Sequence, residues 1–181
     1  LALANLATPG AADGPLAILA PYQFGKLLDS QGYRAAAVPF LADADTSTAF
    51  GKLNPNKYGI LPVLVILENG TGKALRLGLT AAFINASGKH VDALPPEDVQ
   101  RLGAVTKAPR IGGSNPLPLP LPTRVKKGPL NVWEIEGRAF SAKLLPVGER
   151  VYGFFYFNVD HEPGSRLYLN GIRDASSGQE Y

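Results

Sequence analysis

Residues 61–67, Leu-Pro-Val-Leu-Val-Ile-Leu, are apolar without a break. A strand carries such a run only when both of its faces are covered, and Val and Ile at this density favour strand over helix. Glu68 ends the run, Asn69-Gly-Thr-Gly-Lys73 has turn chemistry, and Ala74-Leu-Arg-Leu-Gly-Leu79 alternates, the period of a strand wetted on one side. The spacing predicts a β-hairpin over residues 59–79 and a sheet at the centre of the fold.

Other segments fall around that sheet. Residues 1–20, rich in Ala, Gly and Pro, read as a tether too interrupted to span a bilayer, and residues 21–181 as one folded unit. Pro21 at the front and Gly32 at the back bracket a short helix over residues 21–31. Residues 33–40 form a strand, and Asp45 offers a cap for one or two helical turns up to Leu53. Residues 81–85 and 90–94 are strands about a tight turn at 86–89, which with the hairpin makes a four-strand meander. Residues 95–102 and 129–140 have helical signals; Pro95 and Pro96 precede Glu97 and Asp98, and Arg101 closes the turn. Residues 150–159 and 165–172 are strands, residues 174–178 a turn, and residues 179–181 begin a further strand. Short strands joined by Gly, Pro and Asn turns indicate an antiparallel β-sandwich with a few peripheral helices.

Catalytic signatures fail one by one. Gly70-Thr-Gly-Lys73 approaches a phosphate loop, but Ala74 stands where Ser or Thr is required and a strand follows instead of a helix. Asp160-His161-Glu162 lies in a Pro-Gly turn where solvated charge belongs, and His90 stands alone. With two His and no Cys, no metal or cofactor site is expected. No serine-hydrolase elbow and no distinctive carboxylate pair occurs, so the expectation is a protein that is not an enzyme. Basic residues are scattered through a net charge of +3, without the stripe that nucleic acid requires. Asn69-Gly-Thr71 and Asn85-Ala-Ser87 satisfy the glycosylation sequon. Phe154, Phe155, Tyr156 and Phe157 read as core, because alternate members face opposite sides of a strand.

Two motifs carry a resemblance. The apolar strand running into Glu68-Asn-Gly-Thr-Gly-Lys-Ala-Leu75, and Leu145-Pro-Val-Gly-Glu149 preceding Gly153-Phe-Phe-Tyr-Phe157, resemble the immunoglobulin-like sandwich of many bacterial exported proteins and lipoproteins. Over residues 58–172 the resemblance implies a mainly β, immunoglobulin-like antiparallel sandwich. It implies binding or assembly roles, or inhibition, and brings no catalytic residues with it.

The segment 103–128 interrupts the pattern with Pro116-Leu-Pro-Leu-Pro-Leu-Pro122, which suits neither a central strand nor a helix. Leu117, Leu119 and Leu121 form an extended apolar strip that reads either as a polyproline II arm for docking or as a stiff loop laid across its own sandwich, and we expect it to bind other protein subunits or a second copy. The resulting expectation is a non-enzymatic structural or accessory protein-interaction module of a cell-envelope or extracellular assembly, exported, with no transmembrane segment. The alternatives are an inhibitor or ligand-binding module of the same fold, or a hydrolase using an unrecognised carboxylate site.

Overall fold

A computed structural model describes residues 27–30, 32–102 and 128–181. The described chain is mainly β, with antiparallel sheets and few helices. The strands are β1 (Leu27–Ser30), β2 (Tyr33–Pro39), β3 (Leu61–Asn69), β4 (Leu75–Ile84), β5 (His90–Asp92), β6 (Leu144–Leu145), β7 (Arg150–Phe157) and β8 (Arg166–Asp174). The helices are α1 (Asp43–Phe50), α2 (Pro96–Leu102) and α3 (Trp133–Gly137), with a 3-10 turn at Pro55–Tyr58.

β3 shows why its sequence is apolar throughout. It sits inside the sheet β1-β2-β3-β7, with two cores on its opposite faces. Leu64 and Ile66 point toward a core containing Phe50 of α1, Val99 of α2 and Ile135 of α3. Val65 and Leu67 face Leu75, Leu77, Leu145 and Ile172 of the second sheet, while Leu61 and Val63 face Ala81 and Phe83. The order is therefore helices, first sheet, second sheet. Phe154 and Tyr156 of β7 point to the helices and Phe157 to the second sheet; all three are buried, and Phe155 is half-buried.

The hairpin expectation for residues 59–79 is wrong. β3 pairs with β2 and β7, whereas β4 belongs to the second sheet, with β8 along one edge and β5 and β6 sharing the other. Residues 69–74 form a corner between sheets. The meander fails with it, although β4 and β5 do turn back at residues 86–89, where Asn85 N–H donates to the Lys89 carbonyl at 3.1 Å. Residues 75–84 are one strand carrying a bulge between Leu77 and Thr80. Gly171 faces that bulge at φ 92°, and a Cβ there would lie 2.2 Å from the Gly78 carbonyl oxygen, so no other residue fits.

The helix expected over residues 21–31 is also corrected, because Leu27–Ser30 is strand β1, paired with β2 from Leu27↔Ala36 to Ser30↔Tyr33. The capping Asp45 is displaced too: α1 begins at Asp43, behind Ala42, and has no side-chain cap. Pro62, inside β3, cannot donate across to β2. Phe40 N–H donates to the Pro62 carbonyl at 2.9 Å, and the Phe40 carbonyl accepts instead from Asn56 Nδ2 at 2.8 Å. The side chain of the 3-10 turn thus replaces the missing ladder bond.

One flank of the two-sheet stack is laced shut. Leu94 N–H donates to Tyr156 of β7 and Ala93 N–H to Ala81 of β4; farther along, Phe140 N–H donates to Phe154, and Leu77 N–H to Lys143. Two crossing segments therefore pair with both sheets. Between them remains a slot of about 470 Å³ walled by Leu79, Leu94, Phe140 and Phe155. Phe140 stacks on Phe155 with ring centroids 5.5 Å apart and passes over Gly153, where a Cβ would come 2.5 Å from its Cα.

Candidate interaction surface

The two sheets differ in what covers them. The first is buried between the helices and the second sheet, while the outer face of the second carries no layer among the described residues. Register places the members of that face. Tyr168, Ala82 and Asp92 form one row across β8, β4 and β5; Arg166, Ile84 and His90 form the next. Asn170 and Thr80 continue the face on the other side of Tyr168, because residues directly opposite in antiparallel strands share a side. Leu167, Leu169, Ala81 and Phe83, the alternate residues, point into the core between the sheets. Tyr168 is 57% exposed, and Arg166, Asn170, His90, Asp92 and Thr80 are exposed around it. Arg173 lies farther along β8, bonded to Glu180 at 2.5 Å. A sheet face with a central Tyr and a flanking Arg carries two of the residue types enriched at protein interfaces.

Sequence reasoning missed this face. Period-2 alternation in residues 165–172 marks an outward row but does not tell whether a further layer covers it. The strip expected to bind partners, Leu117, Leu119 and Leu121, lies outside the described residues, as does nearly all of the Pro-rich insertion. Among those that are described, Leu102 at the end of α2 is 43% exposed and Trp133 at the start of α3 is 69% exposed. Both flank the chain's departure into and return from that insertion.

The two recognition motifs meet at the corner. Asn69 is fully buried; its Nδ2 donates to the carbonyls of Lys73 at 2.7 Å, Leu145 at 2.9 Å and Pro146 at 3.1 Å. Its Oδ1 accepts from Thr71 N–H at 3.0 Å and Thr71 Oγ1 at 2.7 Å. Its backbone bonds Glu149 and Gly148, so Asn-Gly-Thr-Gly-Lys and Leu-Pro-Val-Gly-Glu are two halves of one joint. With its carboxamide nitrogen committed to three carbonyls, Asn69 is closed to glycosylation. Lys73 completes the corner, reaching Asp174 of β8 with Nζ–Oδ2 2.9 Å. Hydrogen bonds from Ser176, then Lys73, then the Ser177 and Ser176 amides hold the Asp174 carboxyl far below the usual carboxylate range. The same Asp174 bond raises the Lys73 ammonium. Gly70-Thr-Gly-Lys73 is therefore a structural corner, not a phosphate cradle.

The remaining candidates are dispersed. His161 leans on Phe83 with ring centroids 6.3 Å apart, while Asp160 and Glu162 are exposed beside it; His90 is on the outer face described above. Among the described residues no three His, Asp or Glu side chains converge to hold a metal, and no helix is long and apolar enough to cross a membrane. Burial pushes the Tyr156 phenol well above its ordinary value, with Arg138 opposing; its hydroxyl donates to the Ile135 carbonyl at 2.7 Å, tying β7 to α3. Comparison with known proteins finds no match to a family model, a curated protein or a solved structure.

Proposed function

We propose that this chain is a non-enzymatic, immunoglobulin-like module that works by binding other proteins, as a structural or accessory subunit of an exported, cell-envelope or extracellular assembly. The observation that carries the reading is the outer face of the β4–β8 sheet, centred on Tyr168 and uncovered among the described residues, whereas the other sheet is buried on both sides. An antiparallel sheet can face water on one side without any partner; what favours a partner is the 57% exposed Tyr168 beside Arg166, two residue types enriched among binding anchors. The immunoglobulin-like assignment draws support from two antiparallel sheets packed on each other and from the Asn69 joint that unites the two resembling motifs. The insertion strip at Leu117, Leu119 and Leu121 is a second expected contact of the same module.

Tyr168→Ala combined with Arg166→Ala tests this. Both side chains are on the outer face, so the melting temperature should stay within a few degrees. Affinity purification of the full protein from its own cells should yield a partner in fixed ratio, and the double variant should lose it. A protein that purifies alone, or a double variant that keeps its partner, sinks the proposal.

A further inference from the structure

Asn-Gly occurs twice in the chain, at Asn69-Gly70 and Asn170-Gly171, and the fold treats the two pairs in opposite ways. An asparagine followed by glycine can close on itself: the glycine amide nitrogen attacks the side-chain carbonyl carbon, and glycine has no Cβ to obstruct the approach. At Asn69 both reactants are engaged elsewhere. Gly70 N–H donates to the Gly32 carbonyl at 2.9 Å. Asn69 is fully buried, and the Nδ2 that would have to leave donates to three carbonyls. At Asn170 the reactants face each other. Gly171 N–H donates to Asn170 Oδ1 at 2.6 Å. Cγ is one C=O bond beyond that oxygen, so it lies no farther than about 3.8 Å from the nitrogen, close to the separation from which bonds form. Asn170 is exposed. Gly171 falls between the paired positions Thr80↔Asn170 and Leu77↔Ile172, at the bulge, where the ladder does not fix it to a single residue of β4.

We propose that Asn170-Gly171 is a self-modifying site, at which the chain converts its own asparagine to aspartate or isoaspartate, while the fold bars Asn69-Gly70 from the same reaction. The Gly171 nitrogen loses its proton to hydroxide and forms a bond to Asn170 Cγ. The Cγ–Nδ2 bond breaks, and Nδ2 takes a proton from water and leaves as ammonia. Water then adds to the cyclic imide. Opening at the Cγ–N bond gives Asp at position 170; opening at the bond between that nitrogen and the main-chain carbonyl carbon gives isoaspartate, with the backbone running through Cβ and Cγ. One water is consumed and one ammonia released, and nothing is oxidised or reduced. Either product sets a carboxylate on the outer face of the second sheet, beside Tyr168 in the same row of alternate residues. Isoaspartate also lengthens the backbone beside Gly171, where a Cβ would already come 2.2 Å from the Gly78 carbonyl oxygen, and so loosens the bulge. The reaction alters the face to which partner binding is assigned above, but its chemistry stands without that role.

Trypsin reads the two sites separately, because cleavage after Lys57, Lys73, Arg166 and Arg173 places Asn69 in the peptide 58–73 and Asn170 in the peptide 167–173. Full-length folded protein, aged in mildly alkaline buffer, should show the mass gain of an amide-to-acid exchange in 167–173. That conversion should run about tenfold or more faster than in 58–73, since Asn69 must await an opening of the corner. In urea the two peptides should convert at similar rates, which attributes the difference to the fold and not to the neighbouring residues. Isoaspartate among the products, identified by fragmentation of 167–173, reports attack by Gly171, because direct hydrolysis of the amide gives Asp alone. Asn170→Gln, a change at an exposed side chain that disfavours the five-membered ring, should silence the site without moving the melting temperature by more than a few degrees. Folded protein that keeps its amide in 167–173 while the urea-unfolded chain converts would overturn the proposal. So would equal rates for both peptides in the folded protein, or a product that is Asp alone.

Discussion

Asn69 carries two donors and one acceptor at a point where three carbonyls and a Thr71 hydroxyl need them. Asn69→Asp keeps the shape and reverses the chemistry, placing carboxylate oxygen against those carbonyls. It should cost at least about 3 kcal/mol in chemical denaturation, from several buried groups left unpaired, whereas Thr71→Val, at the exposed end of the same network, should cost about 1 kcal/mol. Asp174 predicts a pH dependence with a definite sign. Its carboxyl titrates below the ordinary 3.8 in the folded chain, so it stabilises the fold near neutrality and that stabilisation is lost as pH falls below about 5. Asp174→Asn should lower the neutral melting temperature and flatten the acid limb of stability against pH; an acid limb of unchanged steepness would contradict the assignment. The sequon at Asn69 is legible in the sequence, but its burial is not, since the carbonyls of Leu145 and Pro146 that occupy it are distant along the chain.

Among elements, β3 is the most legible and its connection the least. An unbroken apolar run implies two covered faces, and the helices and second sheet supply them. The five residues 69–73 satisfy turn chemistry whether the chain reverses within a sheet or steps to another, and what decides is the long-range anchoring of Asn69 to the β6–β7 turn. The helix expected at 21–31 yields to β1 because four residues gain a ladder with β2, a tertiary term that Pro and Gly signals do not contain. β7 reads correctly as a packed strand, yet the reason for Gly153 emerges only in three dimensions. Gly153→Ala places a methyl group 2.5 Å from the Phe140 Cα and 2.8 Å from its nitrogen, displacing the segment that bonds Phe154 from both sides. The loss should be about 3 kcal/mol by denaturant titration. Gly148→Ala meets nothing within 4 Å but stands at φ 75°, and should cost about 1 kcal/mol.

For the whole molecule, the mainly β, antiparallel character with a few peripheral helices is legible from strand spacing, but the division of strands between sheets is not, because alternation records exposure and not pairing. The outer face around Tyr168 stays hidden for a related reason: its members come from β4, β5 and β8 and are united only by register. α2 and α3, which bracket the Pro-rich insertion, are held together by packing and by Gln100 Nε2 donating to the Val132 carbonyl at 3.3 Å. Replacing residues 115–122 with a Gly/Ser bridge should therefore move the melting temperature by only a few degrees while abolishing partner retention or self-association through Leu117, Leu119 and Leu121. Unfolding without any assembly defect would assign the strip to the protein's own packing. Finally, β3 belongs to two cores at once, and this bears on how the molecule comes apart. Neither the helical layer nor the second sheet can detach without stripping one side of the same strand, so the described residues contain no smaller unit with a core of its own. Loss of either layer propagates to the other, and heat or denaturant should meet one all-or-none transition, with calorimetric and van't Hoff enthalpies in agreement.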